Sequence, residues 1–157
     1  MSSVVLEKSV SRSSVLRDNS ASVGQAKVEL PTIDLSYVER QLSSDPLCSV
    51  WAPGRLEMAI KEYRRFLAFC KAFPQKSIGI GCDADKVWHR HILNTRRYDA
   101  DCSEYFGYFL HHTPESEADE NAEAQRETNA LWVKFFGEPR ESHAQATCIA
   151  GGCMNNG

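Results

Sequence analysis

Between Pro53 and Pro74 apolar side chains recur at Leu56, Ile60, Tyr63, Leu67 and Cys70, in alternating steps of four and three. That spacing is one face of an α-helix. Ala59, Phe66 and Phe73 widen the stripe, Lys61, Glu62, Arg64 and Arg65 fall on the wet side, Pro53 suits the first turn and Pro74 ends the helix. Upstream, Ser36-Tyr37-Val38-Glu39 has the form of a capping box, in which hydroxyl and carboxylate satisfy the first free amides. It predicts a short helix over residues 35–43. Ile78-Gly79-Ile80-Gly81 reads as an extended connector or a single strand edge. Two helical segments follow near residues 83–96 and 98–111, the second placing Tyr98, Cys102, Tyr105 or Phe106, and Phe109 on one face. Thr113, Pro114, Glu115 and Glu117 read as cap, first-turn proline and acids at the positive end of a last helix. Leu131, Trp132, Phe135 and Phe136 anchor that helix before Gly137 and Pro139 stop it.

The pattern predicts an all-α fold, a single small helical domain of about four to five helices with disordered N- and C-terminal tails. Residues 1–30, rich in Ser and Val without a sustained period, form a flexible arm, 31–138 the helical module, and 139–157 a mobile tail. Composition agrees with one core: 157 residues, 42% hydrophobic and 10% aromatic.

Charge narrows the partners. The 18 basic and 21 acidic residues are well mixed, giving −3 overall with no basic stripe, which argues against nucleic acid. No apolar run approaches the roughly 20 residues of a membrane span, and the N-terminus has no hydrophobic signal region. A cytoplasmic protein with no membrane contact is expected. Its six cysteines, widely spaced at 48, 70, 82, 102, 148 and 153, are then expected to be thiols rather than a disulfide scaffold or zinc-finger ladder.

Candidate chemistry concentrates in residues 83–112, where Asp83, Asp85, His89, His91, Asp99, Asp101, Cys102, His111 and His112 are all potential metal ligands. On a helix Asp85 and His89 share a face, whereas His89 and His91 diverge by about 200°. If the two segments form an antiparallel hairpin, Cys102 approaches Asp85 and His89, and this trio is the leading ligand set, with His91, His111 and His112 weaker candidates. Imidazole and thiolate favour zinc or another transition metal over calcium or magnesium. The competing structural reading is a buried His bonded to Asp, satisfying the core, with His111 and His112 at a helix end. No H-E-x-x-H or C-x-x-C pattern is present, the glycines at 79 and 81 do not make a phosphate loop, and nothing activates Cys102 as a nucleophile. No catalytic residue is assigned.

Asp85, Trp88, His89, His91 and Leu93 in the form D-x-x-W-H-x-H-x-L, then Tyr98, Asp101 and Cys102 as Y-x-x-D-C, Phe106-Gly107 and His111-His112, resemble the glycine-rich domain-containing protein-like family. The resemblance extends over the 57–73 helix and the 132–137 cluster, about two thirds of the chain. It implies a compact helical module and no established enzymatic activity.

The tail carries Cys148, Gly151, Gly152 and Cys153 without a charged residue between them. Two accessible thiols would bind a soft metal or be modified by another enzyme. The leading expectation is a non-enzymatic binding or carrier protein that holds a metal and presents this tail to a protein partner or tail-modifying enzyme. One alternative is the precursor of a ribosomally synthesised, modified peptide, with Gly151-Gly152 resembling the double-glycine end of a leader. Another is a metal-dependent hydrolase using the same ligands.

Overall fold

The computed structural model describes residues 28–112 and 118–140. Five helices follow in order, α1 Ser36–Ser43, α2 Arg55–Ala72, α3 Cys82–Leu93, α4 Thr95–Tyr105 and α5 Ala118–Phe136. Among the described residues there is no strand, and the 78–81 connector carries only an isolated bridge at Ile78. The fold is all-α, as the periodicity predicts.

Helix α2 is the spine. It buries Ala59, Tyr63, Phe66, Leu67, Phe69 and Cys70, and α1 and α3 both pack against it. Phe69 lies outside the stripe read from the sequence, yet its ring meets Phe73, Trp132, Phe135 and Phe136 within 6.3 Å. This aromatic cluster docks α5 onto the far end of α2. Glu62 also departs from expectation, being buried at 7% exposure instead of facing water. Arg140 explains it, donating to Glu62 Oε1 from Nη2 at 2.8 Å, to Gly79 O at 3.2 Å and to Gln125 Oε1 at 3.1 Å. A buried carboxylate needs such a partner.

The 78–81 connector runs between α2 and α5 with Ile78 and Ile80 buried. A Cβ at Gly79 would lie 2.6 Å from Gln125 Cδ, and one at Gly81 would lie 2.6 Å from Glu62 Oε1. The two glycines let the bonded side chains of Gln125 and Glu62 approach the connector closely.

Several helix ends differ from the sequence reading, and the break between the third and fourth helices falls at Asn94, with α3 ending at Leu93 and α4 starting at Thr95. At α1 Ser36 is the first helical residue rather than the cap; Asp34 Oδ1 accepts its N–H at 2.9 Å, and that bond lowers the Asp34 pKa. The fourth helix stops at Tyr105 instead of continuing to 111, because Gly107 takes φ 80° and returns its N–H to Cys102 O and Ser103 O. Residues 107–112 therefore run as irregular chain, and Phe109 and the two following histidines lie off the helix. The expected start of α5 at 113–117 lies outside the described residues.

Candidate metal centre

Asp85 sits in the first turn of α3, where its N–H closes the helix onto Gly81 O at 2.8 Å and its charge complements the helix dipole. One turn later His89 brings Nδ1 to 3.2 Å from Asp85 Oδ2. The third member arrives from the irregular segment: His112 Nε2 lies 3.0 Å from Asp85 Oδ1. The two imidazoles flank one carboxylate, their ring centroids 4.5 Å apart. On its other side His112 packs on Trp88, again at 4.5 Å.

Asp85, His89 and His112 each offer a ligand atom, and these atoms lie within 4.8 Å of one another. Exposure is graded across the group, from 10% for the His112 side chain and 16% for Asp85 to 52% for His89. The centre is anchored on the protein side and open on the solvent side. Two imidazoles and a carboxylate suit zinc or another first-row transition ion, and three protein donors leave a coordination position open. When Nε2 of His112 carries its proton that ring donates to Asp85 Oδ1, so an ion taken through this nitrogen must displace the proton.

The other candidates are placed elsewhere. Cys102 is 2% exposed and does not join Asp85 and His89; its side chain meets the Tyr98 hydroxyl and the Leu110 backbone, and burial pushes its thiol pKa up. The reason is topological: after Gly107 the chain returns along α3, so His112 occupies the place expected for Cys102. His91 points into the core, where Tyr63 Oη meets its Nδ1 at 2.9 Å and Asp101 Oδ2 meets its Nε2 at 2.9 Å. Burial lowers the His91 pKa, against the opposing pull of Asp101. Its phenol partner also has its pKa raised by burial.

His111 is exposed, with its ring beside Phe109. Asp83 is held by Arg55 through two bonds of 2.6 and 2.9 Å. Cys148, Gly151, Gly152 and Cys153 lie outside the described residues. No disulfide joins any two of the four described cysteines. No helix among the described residues is long and apolar enough to cross a membrane.

Helical spacing could find the Asp85–His89 pair but not His112, 27 residues from Asp85 and outside any helix. Residue type marks His112 as a possible ligand, and the turn at Gly107 redirects the chain that carries it.

Fold and site together define the class: a small helical module carrying a carboxylate-bridged pair of histidines at one helix start. A family model described as UCP032817-like matches residues 52–142, a span that contains all three donors. The match covers more than half of the chain, and the chain belongs to that family. No curated protein and no solved structure matches it.

Proposed function

We propose that this protein is a non-enzymatic binding or carrier module for a divalent transition ion, with zinc as the ion its donor set fits best. The observation that carries the reading is the convergence of Asp85, His89 and His112 within 4.8 Å. Both oxygens of Asp85 face imidazole nitrogens, and Asp83 is committed to Arg55. Neither acid is thereby placed as a general base, which favours binding over hydrolysis.

Zinc titration of the purified full chain, with elemental analysis of protein from its native host, tests the proposal. One tightly held zinc per chain is expected, with affinity falling at least about 100-fold in His112→Ala and Asp85→Asn, since each removes a first ligand. Absence of stoichiometric metal together with no zinc binding at micromolar concentration would overturn it.

A further inference from the structure

The irregular chain that delivers His112 has no helix or strand ladder of its own between residues 107 and 112. Something else must fix it, because a ligand on loose chain loses much of its binding energy to ordering. A buried polar chain ends on it. Trp88 Nε1 donates to Tyr98 Oη at 2.9 Å, and Tyr98 Oη donates to Leu110 O at 2.5 Å. Trp88 is fully buried and Tyr98 is 1% exposed. The carbonyl they hold lies two residues before His112, and Trp88 also supplies the ring on which His112 rests, 4.5 Å between centroids.

We infer that Tyr98 is a positioning residue of the metal centre: by binding the Leu110 carbonyl it presents His112 to Asp85, with Trp88 orienting the phenol and backing the imidazole. This inference rests on the metal-binding reading of Asp85, His89 and His112. It gives Tyr98 and Trp88 a role beyond filling the core. Cys102 lies against the same hydroxyl and the same Leu110 backbone. The hydroxyl of Tyr98 thus gathers α3, α4 and the irregular segment at one buried point. Such outer partners of metal ligands govern affinity through ligand orientation.

A matched control is built into the fold. Tyr63 also places a buried hydroxyl on a histidine, Nδ1 of His91 at 2.9 Å, but that histidine faces the core. Zinc affinity of the full chain is measured by competition for wild type, Tyr98→Phe, Tyr63→Phe and Trp88→Phe, with circular dichroism confirming the fold. Tyr98→Phe is expected to bind about 10- to 100-fold more weakly, Trp88→Phe to weaken in the same direction by less, and Tyr63→Phe to stay within about twofold of wild type. Copper(II), which quenches a nearby indole, is expected to dim the wild-type fluorescence, with that component lost in Trp88→Phe.

Equal affinity in Tyr98→Phe and wild type overturns the inference while leaving the metal site standing. Equal weakening in Tyr98→Phe and Tyr63→Phe also overturns it, since that marks general loosening. Should Tyr98→Phe fail to fold, Trp88→Phe decides, and wild-type affinity there counts against the proposal. A wild-type chain that binds no zinc sinks the metal-binding reading itself, and this inference with it.

Discussion

Helix α3 carries two histidines two residues apart that meet opposite fates. His91 is 1% exposed and enclosed by Tyr63 from α2 and Asp101 from α4, one fixed partner on each ring nitrogen. His89, on the other face, is 52% exposed and shares Asp85 with His112. Both are histidine–aspartate pairs at hydrogen-bonding range. The difference lies in saturation: a ring with both nitrogens engaged in the core has nothing to offer a ligand, whereas His89 and His112 each face one oxygen of a half-buried carboxylate, which brings three donor atoms within 4.8 Å. Proximity of His and Asp says little until burial and partner count are known.

The largest effects should separate the two faces completely. His91→Ala leaves a cavity and strips the buried Tyr63 hydroxyl of its partner, and is expected to cost about 3 kcal/mol in urea unfolding while zinc affinity stays within about twofold. His89→Ala should do the reverse, changing stability by no more than about 0.5 kcal/mol and weakening zinc by about 100-fold. Loss of zinc binding in a folded His91→Ala protein would merge the two faces into one site and break the comparison.

That division was half legible in the sequence. Helical geometry alone separates His89 from His91 and pairs His89 with Asp85, because both statements depend only on 100° per residue. The spine helix was legible for the same reason. What periodicity could not carry is anything decided by chain reversal. Gly107 ends α4 and sends His112 back to Asp85, displacing Cys102 from the expected trio. Glu62 reads as a surface acid until Arg140, 78 residues away, covers it. The buried bond from Tyr98 to Leu110 likewise joins a helix to irregular chain, where spacing has no period to follow.

Cys102 sharpens the contrast at intermediate scale. Buried and with its thiol pKa raised by that burial, it belongs with His91 on the enclosed side. Its reaction with a thiol reagent at pH 8 should run at least about tenfold slower in the native chain than in urea, because the thiolate is the reacting form. Peptide mapping identifies the residue, and added zinc should leave its thiol unliganded. A zinc-bound Cys102 thiolate, visible as charge transfer in the cobalt-substituted protein, would restore the trio read from the sequence.

The smallest effect tests how far the enclosed side extends. Tyr37 is 6% exposed, its ring edge faces His91 at 6.3 Å, and its hydroxyl has no hydrogen-bond partner among the described residues. Desolvation, reinforced by the Asp101 charge, pushes its pKa up to about 12. A folded-state value above the unfolded one favours folding fully only below the unfolded value near 10. As pH rises beyond that the unfolded chain ionises first, so stability falls between about pH 10 and pH 12, by roughly 1 kcal/mol at pH 11 from this group. Tyr37→Phe removes an unpaired hydroxyl and should be near neutral at pH 7, with less loss of the urea midpoint between pH 9 and pH 11 than wild type. An unchanged alkaline slope would show that Tyr37 ionises as freely when folded as when unfolded, and would move it out of the enclosed region that His91 defines.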